Sequence, residues 1–118
     1  MNEDFAPFEL AVKLKEKGFR ERVQGYYREL KVLSVCNTPM NSNALDNEYS
    51  APTISQVLKW LREEKKIHIV IDFDGGMGWY YQIALYGLTT YEKESEHKYN
   101  SYEQAALAGI EYVLDNLI

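Results

Sequence analysis

Two segments of alternating apolar and polar residues, separated by a glycine-rich stretch, constrain this chain more than any other feature. Apolar side chains fall at every second position of 67–73, and the pattern returns at 79–86. Such alternation is typical of strands with one buried face, and the segment 74–78 can form the turn between them. Placing Ile69 opposite Ile83 puts the large apolar residues on one face, whereas a shift of one residue would scatter them. The sequence therefore predicts an antiparallel hairpin of fixed register.

Three segments with apolar residues three and four positions apart predict helices at 7–17, 53–65 and 101–117. The second and third begin with capping boxes, in which a Thr or Ser is followed three residues later by Gln. Gly109 lies on the apolar stripe of the third helix, where Gly costs about 1 kcal/mol relative to Ala. We therefore expect the third helix to approach the sheet closely at this position.

The predicted fold class is α+β in two layers, with the second and third helices on the apolar face of a small antiparallel sheet. Residues 20–35 fit a helix as well as short strands, and a third strand near 25–29 is the favoured interpretation. With the first helix, this strand would complete the fold. The asparagine-rich stretch 37–50 reads as a polar irregular loop and 88–98 as a charged surface loop.

A chain of 118 residues suits a single domain over 1–118. Its single cysteine excludes an internal disulfide framework. No segment approaches the roughly 18 apolar residues of a membrane span, and the first residues are acidic, unlike a signal peptide. Cytoplasmic location is the expectation.

Charge is unevenly distributed along the chain. The net charge is −5, yet residues 9–31 hold seven Lys or Arg against four Glu. A solvated helix face explains this segment most simply, and an acidic or phosphate-bearing partner is the functional alternative. The residues of this candidate basic patch are Lys13, Lys15, Lys17, Arg20 and Arg22.

The helix 53–65 followed by a hairpin also resembles the recognition helix and wing of a DNA-binding domain. Glu63 and Glu64 interleave with the basic residues of this helix, and the net charge of −5 opposes a phosphate-binding surface. Nucleic-acid binding through this helix and the basic segment 9–31 is thus the alternative function rather than the leading one.

No motif predicts a catalytic residue, a cofactor or a metal ion. Cys36 has no histidine near it in sequence, which argues against a thiol nucleophile. His68 and Asp72 share a strand face but lie about 13 Å apart along it, and His97 falls in the charged loop. The glycines of 74–78 precede a strand, whereas a phosphate-binding loop precedes a helix.

The polar face of the hairpin is the candidate interaction surface. A tyrosine-rich sheet face that is only half solvated favours contact with another chain, either an unknown protein or a second copy in a homodimer. Coverage by the first helix or by the Tyr26-Tyr27 segment is the alternative that suits a monomer. The surface residues are His68, Val70, Asp72, Tyr80, Gln82 and Tyr86.

Two strings in about residues 49–118 are similar to a known group of sequences. They are Ala51-Pro52-Thr53 followed after five residues by Lys59-Trp60-Leu61-Arg62-Glu63, and Tyr102-Glu103-Gln104-Ala105 followed by Gly109-Ile110. Together they resemble short hypothetical proteins encoded in phages and prophages of anaerobic gut bacteria. The resemblance implies a phage-related accessory protein and a shared fold, and it brings no activity with it. The tyrosine-rich hairpin face and the lack of a catalytic motif predict a protein-protein interaction module that is not an enzyme.

Overall fold

The computed structural model describes residues 4–28 and 31–118. The described residues fall into two compact units, one reaching to Thr53 and including Ile118, the other comprising Ile54–Leu117. Within them the chain forms three α-helices and two three-stranded antiparallel sheets. The α+β class is confirmed, and the single domain over 1–118 stays a prediction.

The first unit is a small sheet with one helix. Helix α1 (Phe8–Glu16) packs on strand β3 (Tyr49–Ala51), while β1 (Val23–Tyr27) lies between β2 (Leu33–Met40) and β3. The strand expected near 25–29 is therefore present, but it begins earlier, and it pairs with β2 and β3 instead of adding to the hairpin. Its last predicted residue, Glu29, lies outside the described residues.

The prediction of a polar irregular loop at 37–50 is wrong. This stretch contains the end of β2, a 3₁₀ turn at Ser42–Ala44 and the start of β3. Asn43, only 5% exposed, holds the turn to the following strand. Its backbone N–H donates to Ser50 Oγ (3.1 Å), and the backbone N–H of Ser50 donates to Asn43 Oδ1 (2.8 Å). Asn43 Nδ2 also donates to the carbonyl oxygen of Phe19 (2.8 Å).

Asn43→Ala should lower the free energy of unfolding by about 2 kcal/mol. The substitution removes the partners of a buried backbone N–H at Ser50 and a backbone carbonyl at Phe19, and each unsatisfied group costs roughly 1–3 kcal/mol. Urea unfolding followed by far-UV circular dichroism measures the change. Asn47→Ala is the matched control, since Asn47 is exposed and should change stability by less than about 0.5 kcal/mol. Equal effects of the two substitutions would contradict the structural role of Asn43.

The second unit contains the predicted hairpin. Helix α2 (Ile54–Glu64) precedes β4 (Ile67–Asp74) and β5 (Gly78–Leu85), and helix α3 (Tyr102–Asn116) ends the unit. The pairing of Ile69 with Ile83 confirms the predicted register. All three helices begin and end within one residue of their predicted bounds, because their apolar periods and capping signals are local.

A third strand in this unit corrects the prediction of a loop at 88–98. Strand β6 (Lys93–Glu94) pairs with β5, giving the sheet order β4-β5-β6. Ser95, which is buried, continues the attachment because its hydroxyl oxygen accepts from the backbone N–H of Tyr81 at 2.9 Å. Two residues are too few to reveal an alternating pattern, so the sequence gives no strand signal here.

Helices α2 and α3 pack on the apolar face of the hairpin, as predicted. A Cβ atom added at Gly109 would lie 3.1 Å from Ile69 Cγ2 and 3.1 Å from Tyr81 Cγ, which confirms the close approach of α3. The apolar residues of the hairpin become more exposed towards the turn, where Phe73 is 54% exposed. Both tryptophans belong to this unit: Trp60 is buried on α2, and Trp79 is half-buried at the start of β5.

Candidate interaction surface

The six predicted surface residues lie on the face of the hairpin that points away from α2 and α3; we call it the outer face. Directly opposed residues of an antiparallel pair share a face, and the register pairs Val70 with Gln82 and Asp72 with Tyr80. His68, Asp72 and Tyr86 are exposed, whereas the other three are half-buried. The outer face members are His68, Val70, Asp72, Tyr80, Gln82 and Tyr86.

The chain itself covers part of the outer face near the hairpin turn. The ring of His97 stacks on that of Tyr80, with centroids 3.7 Å apart and planes inclined by 15°. His97 Nδ1 lies 2.9 Å from Asp74 Oδ2, and His97 Nε2 lies 3.2 Å from Glu94 Oε2. Glu94 Oε1 also accepts a 2.6 Å hydrogen bond from Gln82 Nε2. These contacts form the His97 clasp, which holds the segment after β6 against the hairpin.

The His97 clasp shifts the pKa of each of its charged members. The hydrogen bond to Asp74 is the largest cause of a raised His97 pKa, and Glu94 adds to it. The pKa of Asp74 is lowered, first by His97 and then by the backbone N–H of Gly76. That of Glu94 is lowered chiefly by the hydrogen bond from Gln82, with His97 second. Both ring nitrogens face carboxylates, so the imidazolium form satisfies the clasp best.

The clasp should make stability depend on pH in a defined window. A raised His97 pKa contributes stability that is complete below the ordinary histidine value of 6.5 and is lost as pH rises through the raised value. The lowered carboxylate pKa values contribute above the ordinary 3.8 and 4.5, and that contribution is lost as pH falls through the lowered values. Stability from the clasp should therefore be greatest between about pH 4.5 and 6.5.

Thermal unfolding of His97→Ala checks this window. The loss of Tm relative to the unsubstituted chain should be larger at pH 5.5 than at pH 8.5, because only the protonated ring bonds both carboxylates. His68→Ala is the control, since His68 is exposed on the same face and makes no ion pair with the described acidic residues. A Tm loss for His97→Ala that is equal at the two pH values would contradict the clasp.

A groove of about 230 Å³ opens at the other end of the hairpin. Arg62 comes from the last turn of α2, Lys66 from the connection to β4, and His68 from the outer face; all three are exposed. We call this the basic groove. Its lining residues are Arg62, Lys66, Ile67, His68, Ala84, Leu85 and Tyr86.

The predicted basic patch of the first unit is partly engaged within the chain. Lys15 Nζ donates to the carbonyl oxygens of Leu45 (2.7 Å) and Glu48 (2.8 Å). Lys17 Nζ donates to the carbonyl oxygen of Ile118 (3.0 Å). The remaining three residues are Lys13, which is half-buried, and Arg20 and Arg22, which are exposed.

Sequence reasoning missed the His97 clasp and the basic groove. His97 and Asp74 are separated by 23 residues, and neither has a spacing typical of a site. Over residues 4–28 and 31–118, no group of three or more His, Cys, Asp or Glu side chains is arranged to hold a metal ion. Cys36 is partly exposed on β2.

Comparison of the chain with protein-family models, with curated proteins and with solved structures finds no match. Among the described residues, no helix combines the length and the apolar character needed to cross a membrane.

Proposed function

We propose that the protein is a small accessory protein of phage or prophage type, which acts in the cytoplasm by binding another protein and has no catalytic site. The resemblance of its two sequence strings supports the phage or prophage setting. The outer face of the hairpin is the proposed contact surface.

The exposure of Tyr86 carries the proposal. This residue is 88% exposed and follows directly after β5, at the open end of the outer face. Tyrosine is enriched at protein interfaces because it offers a large apolar ring together with a polar tip. Leu88 and Tyr91, in the segment that follows, are also exposed, at 54% and 51%. Several exposed large apolar residues within one short segment favour a surface that binds a partner.

Quantitative co-purification from cells that carry the parent phage or prophage tests the contact surface. The tagged chain should enrich a defined protein, and Tyr86→Ser should abolish that enrichment without changing the circular dichroism spectrum. Val35→Ser is the matched control, because Val35 is also an exposed apolar residue (58%) but lies on β2. Retention of the protein by Tyr86→Ser, or its loss only with Val35→Ser, would place the contact elsewhere.

A second copy of the chain is the partner to test first in isolation. Light scattering over a range of concentrations reports its molar mass directly. A dimer that Tyr86→Ser dissociates would identify the partner as another copy. A dimer that persists in Tyr86→Ser would show that self-association uses a different surface.

Nucleic-acid binding is the second candidate function, favoured by the exposure of Lys59, Arg62 and Lys66 on and after α2. Binding through phosphate contacts weakens steeply as salt rises, so chromatography on heparin or DNA at low salt decides the matter. The protein-binding proposal expects that Lys59→Gln leaves any retention unchanged. Retention that salt abolishes, and that Lys59→Gln weakens, would favour nucleic acid instead.

A further inference from the structure

We propose that the basic groove binds an acidic peptide segment of the partner, with an apolar side chain of that segment inserted between the strand ends. This proposal rests on the proposed function and names the chemistry of the partner.

The charges of the groove select an acidic occupant. Arg62, Lys66 and His68 line it, and among residues 4–28 and 31–118 no acidic side chain forms an ion pair with any of them. The whole chain carries a net charge of −5. An acidic partner is therefore repelled by the net charge of the chain and attracted to the groove, which favours contact there.

Because the floor of the groove is apolar, we expect the bound peptide to carry an apolar side chain as well as carboxylates. Ile67 pairs with Leu85 at the open end of the hairpin, and His68 pairs with Ala84. The small side chain of Ala84 leaves space beside His68, and Tyr86 forms one wall. The volume of about 230 Å³ lies below the roughly 300 Å³ at which small-molecule pockets begin. It suits one or two inserted side chains.

A nucleic acid fits the groove less well. Glu63 and Glu64 are exposed in the same final turns of α2 as Arg62, and a continuous row of phosphates would approach them. A short peptide can direct one or two carboxylates at Arg62 and Lys66 and place an apolar residue on the floor. The observations thus favour a peptide.

Lys66 offers a substitution that removes a groove charge without harming the fold. Its φ of 59° lies in the left-handed region, which glycine adopts without the strain of a Cβ atom. Lys66→Gly should therefore unfold at the same temperature as the unsubstituted chain or a higher one. A loss of peptide binding in this variant would then show that the Lys66 side chain contacts the peptide, and not that the fold is disrupted.

Fluorescence anisotropy at low salt with a labelled Glu-Asp-Leu-Phe-Asp-Glu peptide tests the proposal. This peptide should bind at least tenfold more tightly than Gln-Asn-Leu-Phe-Asn-Gln and than a peptide with Ser in place of Leu and Phe. Lys66→Gly and Arg62→Gln should each weaken binding about fivefold or more. Lys59→Gln is the control, because Lys59 is exposed on the same helix outside the groove lining, and it should leave binding unchanged.

Three results would overturn the groove proposal: equal binding of the acidic and neutral peptides, unchanged binding by Lys66→Gly, or tighter binding of a single-stranded oligonucleotide of similar charge. Co-purification separates this failure from failure of the proposed function. If the partner is lost with Tyr86→Ser but retained with Lys66→Gly, the proposed interaction surface is supported. The proposal that the partner binds through an acidic segment is then contradicted. A partner retained by both variants would reject the surface itself.

Discussion

Gly25→Ala should lower the free energy of unfolding by about 3 kcal/mol or more. A Cβ atom at this position would lie 2.6 Å from the carbonyl oxygen of Ala51 and 2.7 Å from Phe5 Cδ1. Gly25 pairs directly with Ala51 across β1 and β3, so the oxygen cannot retreat without separating the strands. Overpacking a core typically costs about 1–3 kcal/mol, and contact with a paired backbone atom places this substitution at or beyond the upper end.

Urea unfolding and backbone amide exchange in β1 and β3 measure the effect of Gly25→Ala. Gly75→Ala makes the same chemical change in the hairpin turn, where the nearest atom, Phe73 Cε2, would be 3.9 Å from the new Cβ. We expect Gly75→Ala to shift stability by less than about 0.5 kcal/mol. Similar stabilities of the two variants would show that β1 and β3 do not approach as closely as described.

Gly109→Val should be the second severe substitution, with a loss of about 3 kcal/mol. The new Cβ would lie 3.1 Å from both Ile69 and Tyr81, and the two Cγ atoms of valine would enter space that these buried side chains occupy. Moving them would strain the centre of the core that joins α3 to the hairpin. Gly109→Ala should lower the free energy of unfolding much less. Alanine adds only the Cβ atom, and its higher helix propensity offsets the tight contacts of that atom by about 1 kcal/mol.

Ala108→Val is the matched control for Gly109→Val. Ala108 is half-buried in the same helix and lines an open groove of about 340 Å³, so a larger side chain has room. We expect Ala108→Val to lower the free energy of unfolding by only about 0.5 kcal/mol, because valine has a lower helix propensity than alanine. Guanidinium chloride unfolding followed by circular dichroism at 222 nm compares the three variants. An Ala108→Val loss as large as that of Gly109→Val would mean that helix propensity, and not packing, governs this stretch.

The sequence was most informative where the structural signal is local. The hairpin register follows from alternation at 67–73 and 79–86, and the position of Gly109 on an apolar stripe indicates its close packing. Of the first sheet, only the strand near 25–29 was predicted. Its partner β3 is distant in sequence, and β2 is mostly exposed, so β2 has no buried face that would produce an alternating pattern. Asn43 looked like a turn residue by composition, yet its amide bonds to Ser50 and to the carbonyl oxygen of Phe19.

The candidate site was also predicted only in part. The alternation of side chains along each strand was enough to assign His68 and Tyr80 to one face of the hairpin. The stacking of His97 on Tyr80 depends on how the chain returns after β6, a strand of two residues. The basic groove needs the end of α2 beside the ends of two strands, a juxtaposition that only the folded chain displays.

Placement of both indole rings in the second unit gives the protein a built-in optical reporter of that half alone. Emission excited at 295 nm follows the surroundings of Trp60 and Trp79, whereas the first unit contributes tyrosines and backbone ellipticity. Coincident midpoints from the two signals would indicate that residues 1–118 melt cooperatively as one domain. Separate midpoints would assign each half its own transition, and Gly25→Ala should then shift only the transition that the indoles do not see.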